Sequence, residues 1–137
     1  MKKLILSIFS LMLAISVFAQ DTVDPKVQKA ADEMVKTYNL DETQAATAVE
    51  IQERRFRNLA EIESLKNTNR DMYRHKFKAI QSSTDASLRR MLNEEQMAIY
   101  NQRKQDLRKK NADKTAQLKA KGLSVDEIED ALLGIDN

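Results

Sequence analysis

Arg54-Arg55-Phe56-Arg57 is the densest concentration of chemistry in the chain: three guanidiniums bracket one aromatic ring, with Leu59 close by. Guanidiniums attract anions over distance and form multidentate hydrogen bonds, while the ring and the leucine offer apolar surface. Such a surface can catch unfolded polypeptide loosely. Arg70, Arg74, Lys78, Arg89 and Arg90 extend the charge, with Tyr73 and Phe77 among them. The candidate binding residues are therefore Arg54, Arg55, Phe56 and Arg57, followed by Arg70, Arg74 and Phe77. The same residues also admit a plainer reading, in which Phe56, Tyr73 and Phe77 form a core seam at helical spacing and the arginines are its solvated flanks.

Catalytic chemistry has no comparable concentration. The chain has no cysteine nucleophile, no glycine-rich phosphate loop and no Gly-x-Ser-x-Gly turn. Its 21 carboxylates are spread along the sequence without a spacing that pairs an acid with a base. His75 is the only histidine, and Asp71, one helical turn earlier, is its only near companion. Zinc requires three or four ligands, so this pair reads as surface. The expectation is a protein that is not an enzyme and that holds no metal or cofactor.

The elements that position these residues are announced by three similar pentapeptides: Leu40-Asp41-Glu42-Thr43-Gln44, Leu92-Asn93-Glu94-Glu95-Gln96 and Leu123-Ser124-Val125-Asp126-Glu127. Each reads as a helix start. Asp41, Asn93 or Ser124 is the N-cap, and Gln44, Gln96 or Glu127 closes a capping box at the third helical position. The leading leucine can meet Ala45, Met97 or Ile128 in a hydrophobic staple.

Residues 1–19 read as a secretory signal peptide. Lys2 and Lys3 precede an apolar stretch from Leu4 to Phe18, and Val17-Phe18-Ala19 offers a cleavage site. That stretch is shorter than the roughly 20 residues a spanning helix needs, so no stable membrane insertion is expected after cleavage. Export makes the absence of cysteine notable, because the fold must then stand on packing alone. Charge is segregated along the remainder. Residues 20–53 hold 8 acidic and 3 basic side chains, residues 54–121 hold 8 acidic and 18 basic, and residues 122–137 hold 5 acidic and no basic. A basic middle between acidic ends can fold on itself, pair head to tail or steer acidic partners. Nucleic acid is not an expected partner of an exported chain with nearly balanced charge.

Glycine and proline are too scarce, and β-branched alternation too weak, for anything but an all-α fold. Four or five helices are expected. Asp24 and Pro25 open the first, and Asn39 ends it in the left-handed region. Asp41 opens the second, whose apolar stripe passes through Val49, Phe56, Leu59 and Ile62; Asn67-Thr68-Asn69 either breaks it or bends it. The pattern resumes at Met72 and runs through Ser82-Ser83 to Met91. Asn93 opens the next helix, which Gly122 ends and whose far half is mostly charged. A short amphipathic helix using Val125, Ile128, Leu132 and Leu133 closes the chain with a loose tail. Residues 20–121 thus form one helical domain and residues 122–137 an appended helix.

The first two pentapeptides carry a resemblance. A Leu-Thr-x-x-Gln motif present twice in a small exported helical protein is the signature of the Spy/CpxP-like family, and Leu40 to Gln44 and Leu92 to Tyr100 resemble its two copies. The threonine is replaced by Asp41 and Asn93, both good N-caps. The resemblance covers about residues 24–110 and implies an elongated helical-hairpin cradle, dimeric and periplasmic. It also implies an ATP-independent chaperone or envelope-stress adaptor whose partners are unfolded envelope proteins or a sensor protein. A dedicated regulatory module that inhibits an envelope sensor, and a structural coiled-coil protein without clients, are the alternatives. The thin supply of large apolar residues independently favours a homodimer, in which long helices bury their seams against a second chain.

Overall fold

The computed structural model describes residues 23–135. The signal-peptide reading of residues 1–19 lies outside them. The described residues form six α-helices and no strand: α1 (Pro25–Tyr38), α2 (Glu42–Ile62), α3 (Leu65–Thr68), α4 (Arg70–Met91), α5 (Glu94–Ala120) and α6 (Val125–Leu133). The fold is all-α, with one more helix than the sequence leads one to expect. The long helix breaks twice: α2 ends at Ile62 with a turn at Glu63-Ser64, and a second break falls at Asn69, leaving the short α3 between them. Asn69 leaves helical geometry (φ −155°, ψ 83°), and its side chain accepts the Met72 backbone N–H at 3.1 Å, capping α4. An asparagine side chain competes with the helix ladder in this way, and the boundary between α3 and α4 is the result.

The other boundaries follow the caps. The Asp24 carboxylate accepts the Lys26 N–H, Pro25 sits in the first turn, and Asn39 stops α1 at φ 52°. Asp41, Asn93 and Ser124 each accept an N–H from the third helical residue, and Gln44, Gln96 and Glu127 each return the bond to the cap. Gly134 ends α6 at φ 70°, a conformation that costs glycine nothing. α4 passes through Ser82-Ser83 without interruption, and Ser83 and Ser87 bond back onto carbonyls of their own helix.

α1 and α2 form a hairpin, and α4 runs back along the other side of α2. Gln44 lies by Met91, Arg54 by Ser87, and Ile62 packs in one cluster with Tyr73. α5 starts beside the ends of α1 and α4, then leaves them. α6 reconnects it to the beginning of α4. Two separate cores result. One joins Ala31, Met34, Leu40, Ala48, Ile51, Leu88 and Tyr100, with Leu92 and Met97 packed against it. The other joins Ile62, Tyr73, Ile80 and Ile135. No large side chain among the described residues is fully buried, in keeping with the thin apolar supply. Two expectations change here. Val125 is 79% exposed, so it does not belong to the buried stripe of α6. Ile135, placed by sequence in a loose tail, is buried against α2 and α4.

Candidate functional site

The first two capping boxes are one structure. Gln44 and Gln96 face each other through reciprocal amide hydrogen bonds, each Nε2 donating to the other's Oε1 at 2.8 Å. Each Oε1 also accepts the N–H of its own cap, Asp41 at 3.1 Å and Asn93 at 3.0 Å. The second N–H of each amide goes to a carbonyl two residues before the opposite cap: Gln44 donates to Met91 at 2.7 Å and Gln96 to Asn39 at 3.1 Å. The arrangement has approximate two-fold symmetry, and every donor and acceptor of both amides is used. It ties the start of α2 to the start of α5 and sets the frame for everything else. Among the described residues Glu127 of the third box has only its own cap for a partner, and the bonds from Ser124 hold its carboxyl below its ordinary range.

Arg54, Arg55, Phe56 and Arg57 do not form one patch. Successive residues of a helix point about 100° apart, and the run fans around α2. Arg54 turns to α4, where its guanidinium donates to the Ser87 hydroxyl at 2.8 Å; Arg90 reaches the same oxygen at 3.1 Å. Arg55 turns the other way. It lies 5.2 Å from the Phe56 ring centroid, donates to Gln52 at 3.4 Å, and lines a hollow with Met34, Tyr38 and Arg103. Phe56 is half-buried and Arg57 exposed. A second hollow, about 260 Å³, lies between α2 and α4 and is lined by Ile51, Arg54, Ser87, Arg90 and Met91. Among the described residues no carboxylate forms an ion pair with Arg54, Arg55, Arg57, Arg89 or Arg90. Phe77 is half-buried, 5.9 Å from Tyr73, and packs on the second core.

Arg70 and Arg74 are already engaged. Arg74 grips the Asp130 carboxylate with two nitrogens, at 2.6 and 3.2 Å, and Arg70 adds a bond at 3.0 Å. Arg74 also bonds Asp71 at 2.8 Å, and Lys78 pairs with Glu129. Asp130 is 4% exposed. The Arg74 hydrogen bond, opposed by burial and reinforced by Arg70, holds the Asp130 carboxyl below its ordinary range, and the same bond raises the Arg74 guanidinium. Asp130 is a residue that the sequence reading missed. The acidic run at 126–130 opposite a basic middle was its only trace.

A smaller polar cluster joins α4 to α5. The Tyr100 hydroxyl donates to both oxygens of Asp85 at 2.8 Å, and Lys104 reaches Asp85 at 3.2 Å and lies over the Tyr100 ring. Burial first, then the hydrogen bond to Asp85, pushes the Tyr100 phenol up. His75 is exposed, and Asp71 pairs with Arg74 instead of with it. The described residues hold no group of three or more His, Cys, Asp or Glu side chains able to bind a metal, and no helix among them is long and apolar enough to cross a membrane. Compared with family models, curated proteins and solved structures, the chain matches none.

Proposed function

We propose that this protein is an ATP-independent chaperone or stress adaptor of the periplasm, similar in kind to the Spy/CpxP-like proteins, and that it acts as a homodimer. The α2–α4 hairpin holds partly unfolded polypeptide. The observation that carries this reading is the five arginines of α2 and α4 that have no carboxylate partner among the described residues, Arg54, Arg55, Arg57, Arg89 and Arg90, distributed around a pair of helices that also carries half-buried Phe56 and Leu59. Unmatched guanidiniums draw acidic segments by long-range attraction, and shallow apolar hollows give each segment a weak hold. Weak, dispersed contacts let a client fold while bound. The interlocked glutamines support the kinship. They give the repeated Leu-x-x-x-Gln motif a shared structural task, which two unrelated caps would lack.

The test is light scattering by several unrelated denatured proteins, with the mature chain at near-stoichiometric amounts and no nucleotide. Suppression of aggregation in most cases is expected, with weakening by the combined Arg54→Ala, Phe56→Ala and Arg57→Ala substitutions. Protection of none of them removes the chaperone reading. Capture of one envelope partner only, with affinity falling steeply in salt, replaces it with a dedicated regulatory module.

A further inference from the structure

The acidic helix α6, which packs on α5, meets the basic edge of α4 through charged side chains, as a ligand meets a receptor. Its carboxylates at 126, 129 and 130 follow helical spacing and meet cations at 70, 74 and 78, one per turn of α4. Asp130 binds Arg70 and Arg74, Glu129 binds Lys78, and Asp126 lies 3.7 Å from Arg74. Beyond the helix end, Ile135 enters the core of Ile62, Tyr73 and Ile80. The helix has its own capping box and hangs from α5 by a short turn in which Gly122 stands at φ 79°. The contact is therefore a two-part recognition, a charge ladder and an apolar anchor, between a self-contained helix and a preformed surface.

We propose that the edge of α4 formed by Arg70, Arg74, Lys78 and Tyr73 is a binding site for acidic amphipathic helical segments, and that α6 is its resident occupant, displaced by an incoming segment of the same chemistry. The proposal rests on the chaperone reading only in that a client supplies such a segment. Tethering gives α6 a high effective concentration, so an outside segment sees only the fraction of molecules whose edge is open. Arg70 and Arg74 thus return as binding residues, conditional on release of α6.

The probe is a fluorescein-labelled peptide with the sequence of residues 122–135, titrated against the mature chain and followed by anisotropy. Wild type binds it weakly. Asp130→Asn, which weakens the resident helix, tightens binding about tenfold or more, as the open fraction rises. Arg74→Glu abolishes binding, and so does placing lysines at positions 126, 129 and 130 of the peptide. Equal binding by wild type and Asp130→Asn, or persistent binding by Arg74→Glu, overturns the proposal. Should Asp130→Asn fail to fold, hydrogen exchange on wild type decides. Amides of α6 opening ahead of those of α4 support a displaceable occupant, and opening together with them refutes it. Peptide binding without aggregation suppression sinks the chaperone reading and leaves this site standing; the reverse result does the opposite.

Discussion

Gln96→Glu separates an ordinary helix cap from the amide joint between α2 and α5. Glutamate is a standard closing residue of a capping box, and Glu127 serves as one in this chain. By capping alone the substitution is harmless. In the joint it is not. Gln96, 5% exposed, donates from Nε2 to the Asn39 carbonyl and to Gln44 Oε1. A carboxylate loses both bonds and turns an oxygen towards two acceptors. Two lost neutral bonds are worth about 1 kcal/mol each, and an orphaned buried acceptor costs about 1–3 kcal/mol more. Charge-assisted bonds from the Asn93 N–H and Gln44 Nε2 return about 1 kcal/mol. The expected net loss is about 2–4 kcal/mol, a fall in Tm of roughly 10–15 °C for a domain of this size. Urea and thermal melts followed by circular dichroism measure it. The loss shrinks relative to wild type as pH falls, because a protonated glutamic acid regains a donor. A Gln44→Ala, Gln96→Ala double-mutant cycle should give a coupling of about 1–2 kcal/mol. The control, Glu127→Gln in the isolated third box, leaves the midpoint near that of wild type. A Gln96→Glu protein as stable as wild type would refute the joint and reduce both glutamines to independent caps.

The ionic joint predicts acid sensitivity. Asp130 and Glu127 have carboxyls lowered from ordinary values of 3.8 and 4.5. Their contribution is complete above those values and is lost as pH falls through the lower folded values, so α6 should undock in acid before α1 and α2 melt; hydrogen exchange against pH checks this, and Asp130→Asn should flatten the dependence. Ala48 has no exposed surface in the first core, so Ala48→Leu should destabilise by about 1–3 kcal/mol through overpacking, read from urea melts. Tyr100→Phe removes the hydroxyl bonded to Asp85 while leaving Lys104 in place, and should cost about 1 kcal/mol in the same assay.

Helix starts were legible because capping is local chemistry: a side chain satisfies backbone groups three residues away, and the sequence shows both partners. The punctuation of α1 by Asp24, Pro25 and Asn39 belongs to the same class. The pairing of Gln44 with Gln96 spans 52 residues and was not legible, although a signal existed. Both paired boxes close with glutamine, and the unpaired third closes with glutamate. A carboxylate caps as well as an amide, but only the amide can also donate. The Arg54–Arg57 run misled for the opposite reason. Adjacency in sequence suggested one patch, and helical rotation sent Arg54 and Arg55 to different neighbours. Charge segregation announced that the acidic end could fold back on the basic middle, without showing that Asp130 would be the buried contact or that Ile135 would follow it into the core.

The two joints differ in kind, and the difference decides which part of the molecule can open. The upper one is made of neutral amides around a core that includes Ala31, Ala48 and Tyr100. Salt and acid act on charge, and the paired amides themselves carry none. The lower one is made of Asp130, Glu129 and Asp126 against Arg70, Arg74 and Lys78, over a smaller core. Ionic strength screens it, protonation removes it, and an acidic competitor replaces it. Local opening is drawn from the least stable contacts, and the proposed displacement requires that these be the contacts of α6. The hairpin of α1 and α2, pinned to α4 and α5 by the glutamines, can therefore keep its shape while the basic edge of α4 is uncovered. A binding surface exposed in this way stays organised, which a surface exposed by general unfolding does not.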